Sequence, residues 1–309
     1  RDVERSRGLG DVYKRQGGYT KMKKYKPRRS LLYMPGANER AMQKAKSIDT
    51  DVVIFDLEDA VSPESKALAR QQVFDAIGSG GYGHRELVVR VNSLSTEWGR
   101  ADVERFSEAD ISAMLFPKVE TVYQLEKIDE LLSLNGRSDL TRWIMIETPR
   151  GVLDLETLAD HSYVEAIVMG TSDLVKELRA KHTESRSNLD YALQRCVMVA
   201  RSRGLDVFDG VHLDYQNLDS FRESCVAGRD IGFDGKTLIH PTQVTVANEV
   251  FGFSADDYEY AKRVLAAWSQ AIEAGKGVAV VDGQLVENLH VEESERIVIS
   301  YEALLDRRD

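Results

Sequence analysis

Cysteine is scarce in this chain of 309 residues: there are two, Cys196 and Cys225, far apart and in no CxxC pair. That excludes a disulfide framework and a zinc knuckle, and it is the usage expected in a reducing cytoplasm. The six histidines show neither HxH nor HExxH spacing, so the histidine-based metal motifs are missing too. Basic charge is outweighed, with a formal net charge of −10. This argues against a general nucleic-acid surface but not against an anionic small ligand, which feels only the local field. No apolar run approaches the roughly 18 residues of a membrane span, and no secretory signal is recognisable, so no membrane partner is expected. No GxGxxG follows the first strand pattern. The glycine-rich stretch 78–83 lacks the Gly-Lys-Ser/Thr ending of a phosphate loop and reads as a turn.

What is present is the composition of a soluble globular protein, 42% hydrophobic and 30% charged, long enough for one large domain or two ordinary ones. Residues Arg1 to Gln16 carry no periodicity leading into a fold. Residues 1–21 are therefore read as a non-native or disordered leader, with a native start expected at Met22. The cluster Lys23, Lys24, Lys26, Arg28 and Arg29 then reads either as a solvated basic tail or as a phosphate-facing patch.

From Arg29 onward, strand and helix patterns alternate. Strands are expected at Ser30–Met34, Asp51–Phe55, Glu86–Val91, Ala113–Phe116, Trp143–Ile146, Val164–Met169, Val207–Leu213 and Gly235–Ile239. Helical patterns follow each of them, and Leu174 to Asn188 forms a longer polar segment. Such alternation implies parallel pairing through right-handed crossovers. Eight units over residues 22–252 match a (β/α)₈ barrel better than an open doubly wound sheet. Residues 253–309 form a C-terminal appendage: a long helix, a hairpin over Asp282-Gly283, and a last helix from about Val291 to Leu305.

In such barrels the active site lies at the C-terminal strand ends. Glu147 ends the buried run of RWIMIETPRG, a position costly for a carboxylate unless it is paired or holds a metal. Asp173 follows the adjacent strand, and strands about 4.8 Å apart let two such carboxylates share one hard cation. Other polar residues assigned to strand ends are Arg29, Glu58 and Asp59, Arg90, Lys118, Asp214 and His240. Two carboxylates with open coordination positions suit Mg²⁺, with Mn²⁺ as a substitute, and could chelate a 2-oxo acid. Arg90 could clamp the substrate carboxylate bidentately. The alternative is a structural ion-pair network among the same residues.

Six stretches, RRSLLYMPG, VVIFDLEDAV, VVRVNS, LFPKVE, IMIETPRG and GFDGKTLIHPTQV, occur in an order that resembles the citrate lyase β-subunit-like family, which includes malyl-CoA, β-methylmalyl-CoA and citramalyl-CoA lyases. The resemblance implies a (β/α)₈ barrel, Mg²⁺ dependence, acyl-CoA and 2-oxo acid substrates, and a homotrimer or homohexamer. It makes Glu147 and Asp173 the metal ligands and Arg90 the clamp. It sets Glu58 and Asp59 beside the metal and its waters. Arg29 with Lys24 or Lys26 falls on the region meeting CoA phosphates, and His240 and Pro241 on the loop against the nucleotide or pantetheine. Lys118 and Asn92 complete the site. In the CoA lyases a carboxylate from a neighbouring subunit's appendage acts as general acid/base; the matching residue here is Glu287, where the lyase pattern has aspartate.

The expected function is a cytoplasmic Mg²⁺-dependent carbon–carbon lyase, cleaving a malyl-CoA-type ester to a short acyl-CoA and glyoxylate or pyruvate. The alternatives are a malyl-CoA-type thioester hydrolase and a citrate lyase β-subunit acting on an acyl-carrier protein.

Overall fold

The computed structural model describes residues 25–307. These form two compact units, Arg28–Ala255 and a second comprising residues 25–27 and 256–307.

Eight strands in the first unit close on themselves: β1 (Ser30–Pro35), β2 (Val52–Asp56), β3 (Glu86–Arg90), β4 (Ala113–Phe116), β5 (Thr141–Ile146), β6 (Val164–Met169), β7 (Asp206–Asp209) and β8 (Gly235–Leu238). Neighbours pair in parallel throughout, and β8 returns to β1 with Ser30 opposite Lys236. Between them run α1 (Glu39–Ala45), α2 (Lys66–Gly78), α3 (Gly99–Phe106), α4 (Val122–Leu134), α5 (Pro149–Leu153), α6 (Leu155–Ala159), α7 (Thr171–Glu177), α8 (Asp190–Arg203) and α9 (Leu218–Ile231). The helix α10 (Gln243–Val250) follows β8. This is the (β/α)₈ barrel expected from the alternation.

Alternation along the strands sorts their side chains. Leu31, Val52, Ile54, Val88, Ala113, Leu115, Trp143, Met145, Ala166, Val168 and Phe208 form one buried cluster inside the barrel. Leu32, Val53, Phe55, Val89, Ile144 and Ile167, of opposite parity, join the larger cluster beneath the helices. Both strand faces are therefore apolar, as parallel sheets require. The next inward rung above the apolar filling is polar: Asp56 on β2, Arg90 on β3 and Glu147 just beyond β5.

The N-terminal end is closed by Arg28. Its Nε and Nη2 donate to Glu86 at 2.7 and 2.8 Å, Nη2 also reaches Glu165 at 3.0 Å, and Nη1 pairs with Asp206. Its guanidinium lies 4.9 Å from the ring centroid of Trp143, the largest side chain inside the barrel.

Three expectations change. Strand seven stops at Asp209, because Gly210 turns tightly against Thr171: a Cβ there would come 2.3 Å from Thr171 Oγ1. Asp214 is thus five residues past the strand, where its carboxylate accepts from the Gln216 and Asn217 backbone N–H groups. The strand-end acid is Asp209, which faces Arg186 and Lys236 at 2.7 and 2.5 Å outside the barrel interior. The helical pattern after strand five breaks at Asp154 into α5 and α6, and the polar segment from Leu174 begins inside a short helix, α7.

The second unit holds α11 (Ala255–Glu273), a hairpin of β9 (Ala279–Val281) and β10 (Gln284–Val286), and α12 (Asn288–Leu305). Asp282 and Gly283 both have positive φ, 49° and 80°, as the two-residue turn read from Asp-Gly demands. Val264, Leu265, Val281, Val286 and Val291 pack into a core of its own.

Candidate active site

Arg90 is the centre of the C-terminal rim. Asp56 and Arg90 are register partners on β2 and β3, and both point inward. Arg90 Nε donates to Asp56 Oδ1 at 2.7 Å and Nη2 to Oδ2 at 2.6 Å. The guanidinium also lies 4.9 Å from the Tyr33 ring centroid, and Nη1 is 3.9 Å from Met145 Sδ. The bidentate fork expected to clamp a substrate is therefore taken by Asp56, the acid that closes the VVIF run of β2. Only Nη1 is turned to the acidic loop after β2, 2.9 Å from Glu58 and 3.3 Å from Asp59. Burial alone would push the Asp56 carboxyl up, but Arg90 beside it holds it below the usual carboxylate range.

That acidic loop is braced from within. Asp56 accepts from the backbone N–H groups of Glu58 and Ala60 at 2.9 and 3.2 Å. The buried Lys66 ammonium donates to the carbonyls of Leu57 and Glu58 at 2.7 and 2.6 Å. Asn92 Nδ2 donates to Leu57 O and to Asp102, at 3.0 and 2.7 Å. Both Asn92 amide hydrogens are thereby engaged in bracing the loop. In the sequence Lys66 is legible only as a helix-start lysine; its buried role depends on the loop closing over it.

Lys118 joins the carboxylates. Its Nζ reaches Glu58 Oε1 at 2.8 Å and Asp173 Oδ2 at 3.2 Å, and its backbone N–H donates to Glu147 Oε1 at 2.7 Å. To do this it adopts φ +53°, in the left-handed region that side chains with a Cβ seldom enter. Glu58 Oε2 is buried and, although within ion-pair distance of Arg90 Nη1, receives no aligned hydrogen bond. Burial pushes the Glu58 carboxyl up. Glu147 is only 3% exposed and is pushed up to about 8, by burial first and then by the neighbouring Glu58 charge.

Gly170, at the end of β6, explains how Glu147 fits: a Cβ there would sit 2.6 Å from Glu147 Oε2 and 2.4 Å from its Cβ. Among the described residues, no group of three or more His, Cys, Asp or Glu side chains is arranged to hold a metal. Glu147 and Asp173 are two, and two suit a hard cation that keeps waters and substrate oxygens. A buried acid held by one backbone N–H, with burial favouring its uncharged form, is the donor such a cation would satisfy.

The remaining assignments divide. His240 stacks on Tyr215, with ring centroids 4.6 Å apart, beyond the end of β8 and beside Pro241. Arg29 precedes β1 and pairs with the buried Asp51, which precedes β2, through two bonds of 2.9 Å. In a parallel barrel both positions lie at the N-terminal end, so Arg29 is at the face opposite the rim and cannot meet a ligand there. Lys26 is exposed and belongs to the other unit, and Lys24 lies outside the described residues. Glu287 is the N-cap of α12 in the second unit, exposed, with its backbone N–H donating to His290 Nδ1 at 3.0 Å.

A closed parallel barrel with a cluster of acids around a fixed arginine and a lysine at its C-terminal rim belongs to the (β/α)₈ enzymes. Residues 29–241 match the HpcH/HpaI aldolase/citrate lyase family, and the chain belongs to it. It is 44% identical over 278 residues to the (3S)-malyl-CoA thioesterase of Cereibacter sphaeroides, covering 90% of this chain and 96% of that protein. It is 30% identical over 285 residues to citrate lyase subunit beta of Escherichia coli K12, covering 90% and 94%. The protein CitE of Mycobacterium tuberculosis, solved with magnesium, acetoacetate and coenzyme A, shares the fold with a TM-score of 0.71 at 24% identity, over 87% of this chain and 96% of that one.

Proposed function

We propose that the protein is a Mg²⁺-dependent hydrolase of a malyl-CoA-type thioester. The carrying observation is the rim cluster of Arg90, Glu58, Lys118, Glu147 and Asp173 in a chain that aligns at 44% identity with nearly the whole of a (3S)-malyl-CoA thioesterase. Glu147 and Asp173 would hold the ion, which when bound polarises substrate oxygens as a Lewis acid. Arg90 Nη1 and Lys118 Nζ meet the negative charge of the substrate's acid end. Glu58, with Oε2 free of an aligned hydrogen bond and its carboxyl raised by burial, takes the proton from the attacking water. The water oxygen bonds to the thioester carbonyl carbon, the carbon–sulfur bond breaks, and the thiol leaves with a proton.

The second reading is the carbon–carbon lyase, favoured by the citrate lyase relatives and by Glu287 in the appendage. There Glu287 of a neighbouring subunit would exchange the proton at the acyl α-carbon, which requires a homo-oligomer. Two buried, unpaired cysteines support a reducing, cytoplasmic setting for either reaction.

Purified protein incubated with (3S)-malyl-CoA and Mg²⁺ separates them. Free thiol with malate and no glyoxylate supports hydrolysis; acetyl-CoA and glyoxylate in equal amounts supports the lyase. Neither product, or turnover unaffected by EDTA, overturns the reading.

A further inference from the structure

We propose that Asp56 is the positioning residue for Arg90: it occupies the fork of the guanidinium and so fixes Nη1 as the single edge offered to a ligand carboxylate. That a carboxylate binds there rests on the function proposed above. The geometry of Asp56 itself does not.

Asp56 is 2% exposed and each of its oxygens has two duties. Oδ1 takes Arg90 Nε and the Glu58 N–H; Oδ2 takes Arg90 Nη2 and the Ala60 N–H. One carboxylate therefore orients the arginine and the loop carrying Glu58 and Asp59 together. Tyr33 covers one face of the guanidinium, and Met145 flanks Nη1. Without the Asp56 charge, Nε and Nη2 lose their charged acceptors, and the guanidinium is held only through Nη1, which already faces Glu58 and Asp59 at 2.9 and 3.3 Å, so it is free to turn about that edge. The clamp is thus one N–H edge held rigidly, not a free bidentate fork, and its selectivity comes from direction.

A purely structural ion pair would have the same distances, so the test is a double-mutant cycle read by ligand affinity. Glyoxylate is titrated calorimetrically into the Mg²⁺-supplemented full-length protein and its D56N, R90Q and D56N/R90Q variants, with thermal unfolding of each followed by circular dichroism. If Asp56 acts through Arg90, D56N weakens glyoxylate at least tenfold and the double variant binds within twofold of R90Q. D56N binding like the wild type, or penalties that multiply in the double variant, overturns the proposal. Should D56N not fold, D56E keeps the charge but moves the guanidinium by a methylene; at least fivefold weaker binding in folded D56E supports the proposal, and wild-type affinity overturns it. A wild type that binds glyoxylate but turns over no malyl-CoA removes the proposed reaction while the cycle still decides Asp56. A wild type that does not bind glyoxylate removes the Asp56 proposal.

Discussion

At the N-terminal end of the barrel, Arg28 lies 4.9 Å from the ring of Trp143 and gives hydrogen bonds to Glu86, Glu165 and Asp206. At the C-terminal end, Arg90 lies 4.9 Å from the ring of Tyr33 and gives its fork to Asp56. The two arrangements use the same parts, an arginine on an aromatic face among carboxylates. They differ in what is left over. Below, each of the three acids receives a guanidinium hydrogen. Above, Glu147 has one backbone N–H, Glu58 Oε2 has no aligned donor, and Asp173 meets a lysine whose side chain is 42% exposed. A buried acid without a partner is costly. At the rim the loops can admit a cation or a substrate to meet that cost, whereas at the other end Arg28 meets it.

Substitutions can sharpen or break this contrast. The largest effect is expected at the rim: Glu147→Gln should lower kcat/KM on the thioester about 10³-fold, with no fall in the melting temperature, because an isosteric amide replaces an acid that burial disfavours. A large loss of stability would instead make Glu147 structural. Next comes the sealed end. Arg28→Met removes the guanidinium hydrogen bonds to Glu86, Glu165 and Asp206 and should cost about 3–5 kcal/mol of stability in urea unfolding, with kcat/KM nearly unchanged below the transition. Loss of activity with retained stability would dissolve the distinction between the ends. Arg29→Ala should cost about 2 kcal/mol and leave KM for the CoA ester unchanged; a raised KM would restore the phosphate-contact reading that its position contradicts. The smallest effect belongs to the stacked pair: Tyr215→Ala should raise that KM about fivefold, the scale of one lost aromatic contact.

Much of this is legible in the sequence. Short continuous apolar runs separated by helical patterns point to the barrel, and Asp-Gly points to the hairpin turn, because both signals are local. Glu147 and Asp173 are legible because an acid just past a buried strand must find a cation or a donor to offset its burial. Asp56 closes its own buried run VVIF and falls under the same rule, but the partner that meets it, Arg90, and the occupation of the guanidinium fork are tertiary and carry no local signal. Arg29 precedes its strand and so belongs to the sealed end, although its charge and its neighbours Lys26 and Lys24 suggest a phosphate site. Strand seven is shorter than its apolar pattern through Val211 and Leu213 suggests, because those residues hide the turn that Gly210 makes against Thr171. The left-handed backbone of Lys118 carries no sequence signature, since its contacts with Glu58, Glu147 and Asp173 are all tertiary.

Gly170 gives the rim an independent handle. All the charges around Glu147 would survive an alanine at 170, yet the added methyl would occupy the space where the Glu147 carboxylate lies. The site is therefore vulnerable to shape alone: one carbon could silence the chemistry while the electrostatics, the apolar filling and the sealed end stay as they are, yielding an inert scaffold with the native surface.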